Sequence, residues 1–430
     1  GGDGDPSWSH ALKIAIRKGR VIDPASKFDV IADIFIAAGK VVAIGDQPAD
    51  WASKREINAD GCIVAPGLVD LAVHVKRGTL TTEIAAAAAG GVTSMVCSPD
   101  TDPVLDEPGL VDMLRLRAQS FHSTHLYPLG ALTKDLAGVQ LAELSKLAQA
   151  GCIGFAQADR AVADTQVLLR AMQYAATFDL SVWLQPEDVH LANNGVAHEG
   201  EVASRLGLGG IPSSAEIIAL ATHLELARVT GVHLHVCRVS TAEGVALIRA
   251  AKLNGINVTA DVAINHLHLI DLDIGHFDSN YRLSPPLRTS RDRDALRAGV
   301  IDGTIDAIVS DHTPRPEGVK QVPFAEAAPG ATGLETLLSL TIRFAESAKL
   351  PMMEALGRIT HHAADAAGLT AGRIAVDSVA DVCVFDPGAY RIITKASLKS
   401  AGKNSPFLGY ELPGLVRATI TAGHIAYEAG

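Results

Sequence analysis

The chain has 430 residues, of which 48% are hydrophobic and 20% charged, which is the balance of a globular protein with ample material for a large core. Its formal net charge of −11 argues against a nucleic-acid binder or an anionic-membrane binder, because it implies no broad basic surface. No apolar run reaches the length of a membrane span. Residues 1–10 are polar and predict a flexible tail without a secretory signal.

Both ends of the chain predict strands of one small β domain. Short segments of alternating apolar and polar residues, separated by Gly, Pro and Asp, occupy residues 12–45 and return in residues 381–421. We therefore expect a small antiparallel β domain, of the β-sandwich type, assembled from residues 11–65 and 372–430. A larger domain would then be inserted between its two halves.

The middle of the chain, residues 66–371, alternates apolar strand-like runs with amphipathic helical segments such as 213–229 and 241–253. The eight predicted strand runs are 64–75, 92–98, 125–132, 153–157, 182–185, 232–239, 256–262 and 305–311. Eight strands, each followed by a helix, predict an α/β fold of the (β/α)₈ TIM-barrel type. A doubly wound open sheet is the alternative, but the first strand leads into no Gly-rich phosphate loop.

The five cysteines indicate a reducing compartment. They are widely spaced, form no CxxC pair and lie mostly in apolar runs, so we expect buried free thiols and a cytoplasmic protein. These cysteines are Cys62, Cys97, Cys152, Cys237 and Cys383.

Polar residues follow the predicted strands, at the edge where a barrel of this type carries its functional groups. They are Asp70, His74, Asp100, Gln157, Gln185, Glu187, Asp188, Arg238, Asp261, His266, Asp311 and His312. The sequence therefore predicts a polar site at one mouth of the barrel.

The predicted mouth has few residues that could bind a hydrolytic metal ion. Such a centre needs several His and carboxylate ligands from different strands, and at the strand ends His74 and Asp311 are the suitable ones. Arg238 adds a permanent positive charge that cannot become a ligand. A mononuclear centre with His233, His235 or His266 as third ligand stays open, although a packed histidine is the simpler interpretation of each.

Residues 65–74 resemble the metal-binding strand of dihydroorotases, which belong to the amidohydrolase superfamily. The pattern of that strand is Pro-Gly-x-x-Asp-x-His-x-His. The resemblance extends from about residue 14 to residue 427. Further matching segments follow in the same order at 87–93, 98–104, 236–241, 284–288, 310–314, 333–336 and 403–407.

The departures from the family pattern fall on its metal ligands. Family members have metal-binding histidines where this chain has Ala72, Gln185 and Arg238, and a bridging anion where it has Gln157. The matching ligand His74 and the catalytic-base position Asp311 are retained. Substrate positions change as well: the usual Arg, Asn and His are replaced by Lys76, Asp100 and Arg315.

This pattern is similar to that of the inactive dihydroorotase homologues that accompany aspartate transcarbamoylase in some bacteria. The resemblance implies no catalytic residue, no metal or other cofactor, self-association as a dimer, and the aspartate transcarbamoylase catalytic chain as partner. It implies a subunit that scaffolds or stabilises that enzyme in pyrimidine biosynthesis. Two alternatives stay open: an active amidohydrolase with a rearranged mononuclear site, and a regulatory barrel that binds an anion through Arg238, Arg315, Lys76 or Arg288.

One structural prediction follows for the altered mouth. We expect Arg238 to occupy the vacated metal space and to neutralise Asp311, because an isolated buried carboxylate is costly and a guanidinium suits a carboxylate partner.

Overall fold

The structure, a computed structural model, describes residues 12–76 and 79–430, so the predicted tail at 1–10 lies outside the described residues. Five strands come first along the chain. They are β1 (Ile14–Asp23), β2 (Phe28–Ala37), β3 (Lys40–Ile44), β4 (Arg55–Asn58) and β5 (Ile63–Pro66).

The middle of the chain forms a barrel of parallel strands. Its strands, with the short outer pair β12 and β13, are β6 (Leu68–Val73), β7 (Val92–Cys97), β8 (His125–Pro128), β9 (Gly130–Ala131), β10 (Phe155–Ala156), β11 (Ser181–Leu184), β12 (Ala197–His198), β13 (Gly210–Ile211), β14 (His233–Val236), β15 (Val258–Ala263) and β16 (Ala307–Val309). Parallel pairing runs through β6-β7-β8 and through β9-β10-β11-β14-β15-β16, and a parallel bridge between Val73 and His312 joins the first strand to the last. The predicted (β/α)₈ barrel is confirmed.

The first predicted strand run is wrong in one respect, because residues 64–75 form two strands rather than one. β5 belongs to the terminal sheet and β6 to the barrel, with Gly67 between them. A Cβ on Gly67 would lie 2.0 Å from Oγ1 of Thr93, so the backbone passes too close to β7 for any larger residue.

Helices alternate with the barrel strands. They are α1 (Leu80–Ala89), α2 (Pro108–Gln119), α3 (Leu144–Gln149), α4 (Thr165–Thr177), α5 (Val189–Ala192), α6 (Glu201–Leu206), α7 (Ser213–Thr230), α8 (Ala242–Leu253), α9 (Ile264–His268), α10 (Ser290–Asp302), α11 (Leu337–Ala348), α12 (Met352–Gly357) and α13 (His361–Ala367). The predicted helices at 213–229 and 241–253 are confirmed as α7 and α8. Within the described part of the chain, none of the helices is both long and apolar enough to cross a bilayer.

The last three strands, β17 (Val382–Ile392), β18 (Glu411–Thr421) and β19 (His424–Glu428), complete the terminal domain. They join β1–β5 in one eight-stranded sheet of order β19-β18-β17-β5-β1-β2-β3, with β4 also paired to β1. The expectation of a purely antiparallel sheet is wrong, because β1 pairs in parallel with both β4 and β5. After β3 the chain crosses back before it forms these strands, so both run in the direction of β1.

The barrel interior is packed with side chains. Val69, Val96, Trp183 and Val309 are at most 1% exposed and belong to one buried cluster inside the strands. This packing leaves the carboxyl ends of the strands as the place for a polar site.

Candidate functional site at the barrel mouth

His74, just after β6, lies between two carboxylates. Its Nδ1 is 2.8 Å from an oxygen of Asp100, and its Nε2 is 3.8 Å from Oδ1 of Asp311. Burial alone would lower the pKa of His74, but the charges of Asp100 and Asp311 raise it to about 10. Burial alone would raise the pKa of Asp100, but His74 lowers it below the ordinary value. This arrangement favours an imidazolium held by two carboxylates.

Arg238, just after β14, connects Asp311 to a third carboxylate at the mouth, Asp261. Its Nη1 is 3.5 Å from Oδ2 of Asp261, its Nε is 3.8 Å from Oδ1 of Asp311, and its backbone N–H donates to Asp261 at 2.7 Å. Burial alone would lower the pKa of Arg238, but these carboxylates raise it. The prediction that Arg238 lies within salt-bridge reach of Asp311 is confirmed, and Asp261 is a second partner that the sequence did not reveal. We call His74, Asp100, Arg238, Asp261 and Asp311 the mouth cluster.

The backbone is unusual at two members of the mouth cluster. Arg238 and Asp311 each have a φ of 52°, in the left-handed region that residues with a Cβ rarely adopt. Ala158, at the end of β10, has a φ of 56°. Three strand ends therefore share this conformation, which directs their side chains differently from a regular strand.

A hydrogen-bonded chain continues from the mouth cluster into the barrel. Nε2 of His235 lies 2.7 Å from Asp261, and its Nδ1 lies 2.8 Å from Oγ1 of Thr259. Because a carboxylate can only accept, Nε2 of His235 carries the proton. Nε2 of His233 lies 2.8 Å from the same threonine oxygen. Both histidines are thus tied into the interior, as the packed interpretation expected.

The positions that the resemblance assigns to metal ligands hold residues that are apolar or engaged elsewhere. Ala72 is buried in the interior cluster. The buried amide of Gln157 accepts from the Thr133 hydroxyl at 2.9 Å and donates to the Leu136 carbonyl at 3.0 Å, so it anchors the loop after β9. Gln185 donates to the Ser284 hydroxyl at 3.2 Å. Both side-chain amides are therefore hydrogen-bonded to other groups of the protein.

The four cations suggested as an anion site are not brought together. Lys76 is exposed, and Arg238 is committed to Asp261 and Asp311. Arg288 is buried and donates to the Ser240 hydroxyl and the Ile211 carbonyl. Arg315 donates through Nε to the carbonyl of Pro329 at 3.0 Å. This geometry does not favour a single anion site at the mouth built from these four residues.

Several other predicted mouth residues serve the backbone. Both oxygens of Asp70 accept hydrogen bonds from Ser310, and Asp188 caps α5 by accepting from the first backbone N–H groups of that helix. Nε2 of His266 lies 3.0 Å from the carbonyl of Pro285. Burial raises the pKa of Glu187, which contributes no bond to the mouth cluster. Asp70, Asp188 and His266 therefore hold protein groups in place and do not form a reaction centre.

The mouth cluster does not fit a hydrolytic metal ion. Such an ion needs several His and carboxylate donors aimed at one point. In residues 12–76 and 79–430, the one group of three such donors within 4.8 Å of one another is His235, Cys237 and Asp261, inside the barrel. His235 already uses both ring nitrogens there, and Arg238 contacts Asp261. Neither His233, His235 nor His266 converges with His74 and Asp311 in that part of the chain.

Sequence reasoning missed a second buried polar group beside the mouth, formed by Glu83, His312 and Ser400, which we call the loop anchor. Nε2 of His312 lies 2.8 Å from Glu83, whose carboxylate also accepts from the Ser400 hydroxyl. Nδ1 of His312 accepts from the backbone N–H of Gly333 at 3.0 Å. Burial alone would raise the pKa of Glu83, but the bonds from His312 and Ser400 lower it to about 2. A lone acid in the alanine-rich helix α1 was the available signal.

Family models place this chain among the amidohydrolases. A model described as "Dihydro-orotase-like" matches residues 61–244, and one described as "Amidohydrolase family" matches residues 211–427.

Curated relatives agree with these models over nearly the whole chain. A "Dihydroorotase-like protein" of Pseudomonas aeruginosa is 43% identical, covering 97% of this chain and all of the relative. A "Dihydroorotase" of a Geobacter species is 36% identical over 97% of this chain and all of its own length.

Solved structures show the same fold. An L-hydantoinase (dihydropyrimidinase) from Arthrobacter aurescens superposes with a TM-score of 0.86 at 23% identity, covering 97% of each chain. At that identity the likeness concerns the fold alone. The sequence relatives carry the assignment further, and on their evidence the chain belongs to the dihydroorotase-like family of the amidohydrolases.

Proposed function

We propose that this protein is a non-catalytic, dihydroorotase-like subunit that scaffolds or stabilises aspartate transcarbamoylase in pyrimidine biosynthesis. The observation that carries the proposal is the position of Arg238, whose guanidinium lies within 4 Å of both Asp261 and Asp311. A fixed cation there opposes the binding of a divalent cation by the same carboxylates.

Further support comes from the amides at the mouth. Gln157 and Gln185 are neutral, so they cannot supply the anionic bridge that two neighbouring cations require, and both are bonded to other parts of the protein. The protein would act in the cytoplasm, which accords with its five buried and unpaired cysteines.

The proposed absence of hydrolase activity is tested with purified protein dialysed against zinc. We expect no stoichiometric zinc by elemental analysis and no cleavage of dihydroorotate. The matched variant carries Ala72→His, Gln157→Asp, Gln185→His and Arg238→His together, and we expect it to take up metal with little turnover, because Lys76, Asp100 and Arg315 remain. Stoichiometric zinc together with turnover in the unaltered protein would refute the proposal.

The scaffold role is tested by light scattering after size-exclusion chromatography. We expect the chain to self-associate as a dimer, and to elute in one larger particle when mixed with the aspartate transcarbamoylase catalytic chain. Transcarbamoylase activity or thermal stability should fall when this chain is left out. Separate elution with unchanged transcarbamoylase would exclude the role, whatever the outcome of the zinc experiment.

A second candidate is an active amidohydrolase with a rearranged mononuclear site. The specific observation in its favour is that a relative 36% identical over 97% of this chain is named dihydroorotase. It would need His74 and Asp311 to separate from Asp100 and Arg238 when the metal binds. Zinc-dependent cleavage of dihydroorotate that is lost in Asp311→Asn would establish it.

A further inference from the structure

A cavity lies outside the mouth cluster, between three loops at the carboxyl side of the barrel. It has a volume of about 100 Å³. Ser279 and Asn280 come from the loop after α9, residues 315–321 from the loop after β16, and residues 395–404 from the segment after β17. No member of the mouth cluster lines it. This cavity is therefore a separate place on the molecule.

The cavity is lined by more cations than carboxylates. Its four cations are Arg315, Lys320, Lys395 and Lys403, and its one carboxylate is Glu317, which lies 3.1 Å from Nζ of Lys395. In the part of the chain that the structure describes, no carboxylate oxygen lies within 4.0 Å of a side-chain nitrogen of the other three cations. Three basic side chains thus share this small space without an ion-pair contact to a carboxylate of the described residues.

These cations are held in place by carbonyl groups. Nζ of Lys320 donates to the carbonyls of Ser279 and Arg282 at 2.9 and 3.3 Å. Nζ of Lys403 donates to those of Leu398 and Ser400, both at 2.6 Å. An ammonium has three N–H donors, so each lysine keeps one for a further partner.

The other polar groups of the cavity add donors and few acceptors. Arg315 uses Nε for the carbonyl of Pro329, while its two terminal nitrogens make no bond to the described residues. The amide of Asn404 is fully used by the backbone of Thr313, Gly330 and Arg315. A ligand that fits these donors carries several acceptor oxygens and negative charge.

Lys320 is a buried cation that the surrounding protein stabilises poorly. Lys320 is 6% exposed, and burial together with the charges of Arg315 and Arg282 lowers its pKa to about 7. A buried cation without a counter-ion is unfavourable, and a bound anion would remove that penalty.

We propose that this cavity binds a phosphoryl group through Lys320, Lys403 and Arg315. The three terminal oxygens of such a group match three donors, two from the loop after β16 and one from the segment after β17, whereas a carboxylate offers two oxygens. The group can belong to free inorganic phosphate or to a phosphate monoester. Its binding would tie the loop after β16 to the segment after β17. The inference goes beyond the proposed scaffold function and does not depend on it.

The test is isothermal titration calorimetry in a phosphate-free chloride buffer, with inorganic phosphate as one probe and glycerol 3-phosphate as the other. We expect saturable binding with a Kd below about 1 mM for at least one probe, since three charge-assisted contacts are available. Tighter binding of the monoester would identify a phosphorylated metabolite as the ligand class, and tighter binding of the free ion would identify phosphate itself.

Two variants locate the site. Lys320→Gln and Lys403→Gln should each weaken binding at least about tenfold, because each removes a charge-assisted bond. Lys146→Gln is the matched control, since Lys146 is an exposed cation paired with Glu143 that does not line the cavity. Circular dichroism melting without ligand checks that the variants fold, and Lys395→Glu at the exposed rim replaces any that does not. The absence of saturable heat with both probes, or equal affinity in the control and the cavity variants, would overturn the proposal.

Discussion

The mouth cluster and the loop anchor bury the same kinds of residues in neighbouring places, yet they satisfy them differently. In the loop anchor, His312 and the backbone N–H of Ala401 meet Glu83 at 2.8 and 3.1 Å. In the mouth cluster, Arg238 and His74 approach Asp311 no closer than 3.8 Å, and Nε of Arg238 is buried without a hydrogen-bond partner. Glu83 is therefore held by close hydrogen bonds, whereas Asp311 is held mainly by the attraction of opposite charges.

The two groups therefore have different roles. The loop anchor stabilises the fold, whereas the mouth cluster belongs to the site at the barrel mouth. The loop anchor joins helix α1, the loop after β16 and the segment after β17, so it holds the barrel's carboxyl side together whatever the mouth does. The mouth cluster joins charged residues on or just after five strands, β6, β7, β14, β15 and β16, and their charges compensate one another. A chain can therefore lose its metal ligands and retain this barrel, provided that the buried charges left behind remain paired.

The largest effect should come from breaking the loop anchor with Glu83→Ala. The change leaves the Ser400 hydroxyl and Nε2 of His312 buried without their partner, and we expect the free energy of unfolding to fall by about 3–5 kcal/mol. Urea unfolding at pH 7 measures it. Glu143→Ala, which removes an exposed ion pair with Lys146, should cost less than about 1 kcal/mol. Equal losses in the two variants would show that the hydrogen bonds of Glu83 stabilise the fold no more than an exposed ion pair does.

The mouth cluster should respond to Arg238→Met with a loss of about 3 kcal/mol, because the buried Asp261 would lose its guanidinium partner and the partly buried Asp311 would keep only His74. Adding Asp311→Asn removes one of the uncompensated charges and should restore part of the loss. A double-mutant cycle measured by urea unfolding gives the coupling between the two residues. Arg249→Met, at an exposed pair with Asp302, serves as control. If the two losses simply add, Arg238 and Asp311 are not coupled.

The smallest effect should be the pH dependence from His74. Its pKa is raised to about 10 in the folded protein, so its contribution is complete below the unfolded value near 6.5 and is lost as the pH rises through 10. The difference in unfolding free energy between the protein and His74→Gln should be about 2 kcal/mol at pH 6, allowing for partial exposure, and should shrink towards pH 10. His276→Gln, at an exposed histidine, is the control. A difference that grows with pH would show that His74 is not held as an imidazolium.

Much of the fold could be predicted from the sequence, because a strand buried in a barrel is a local apolar run and an amphipathic helix has a local period. The polar residues at the strand ends were predictable for the same reason, since parallel strands bring their carboxyl ends to one face. The mixture of parallel and antiparallel pairing in the terminal sheet could not be predicted, because it depends on the path that the chain takes between β3 and β4.

By itself, the sequence determined the (β/α)₈ barrel, the face that carries the polar residues, and the presence of Ala72, Gln157, Gln185 and Arg238 at positions that the resemblance to dihydroorotases assigns to metal ligands. Only the tertiary structure decided which groups these residues contact. Asp261 is 23 residues from Arg238, and Glu83 is 229 residues from His312, so neither pairing follows from a local pattern. The direction of the Arg238 and Asp311 side chains depends on a left-handed backbone at these two strand ends, which no local sequence pattern indicates.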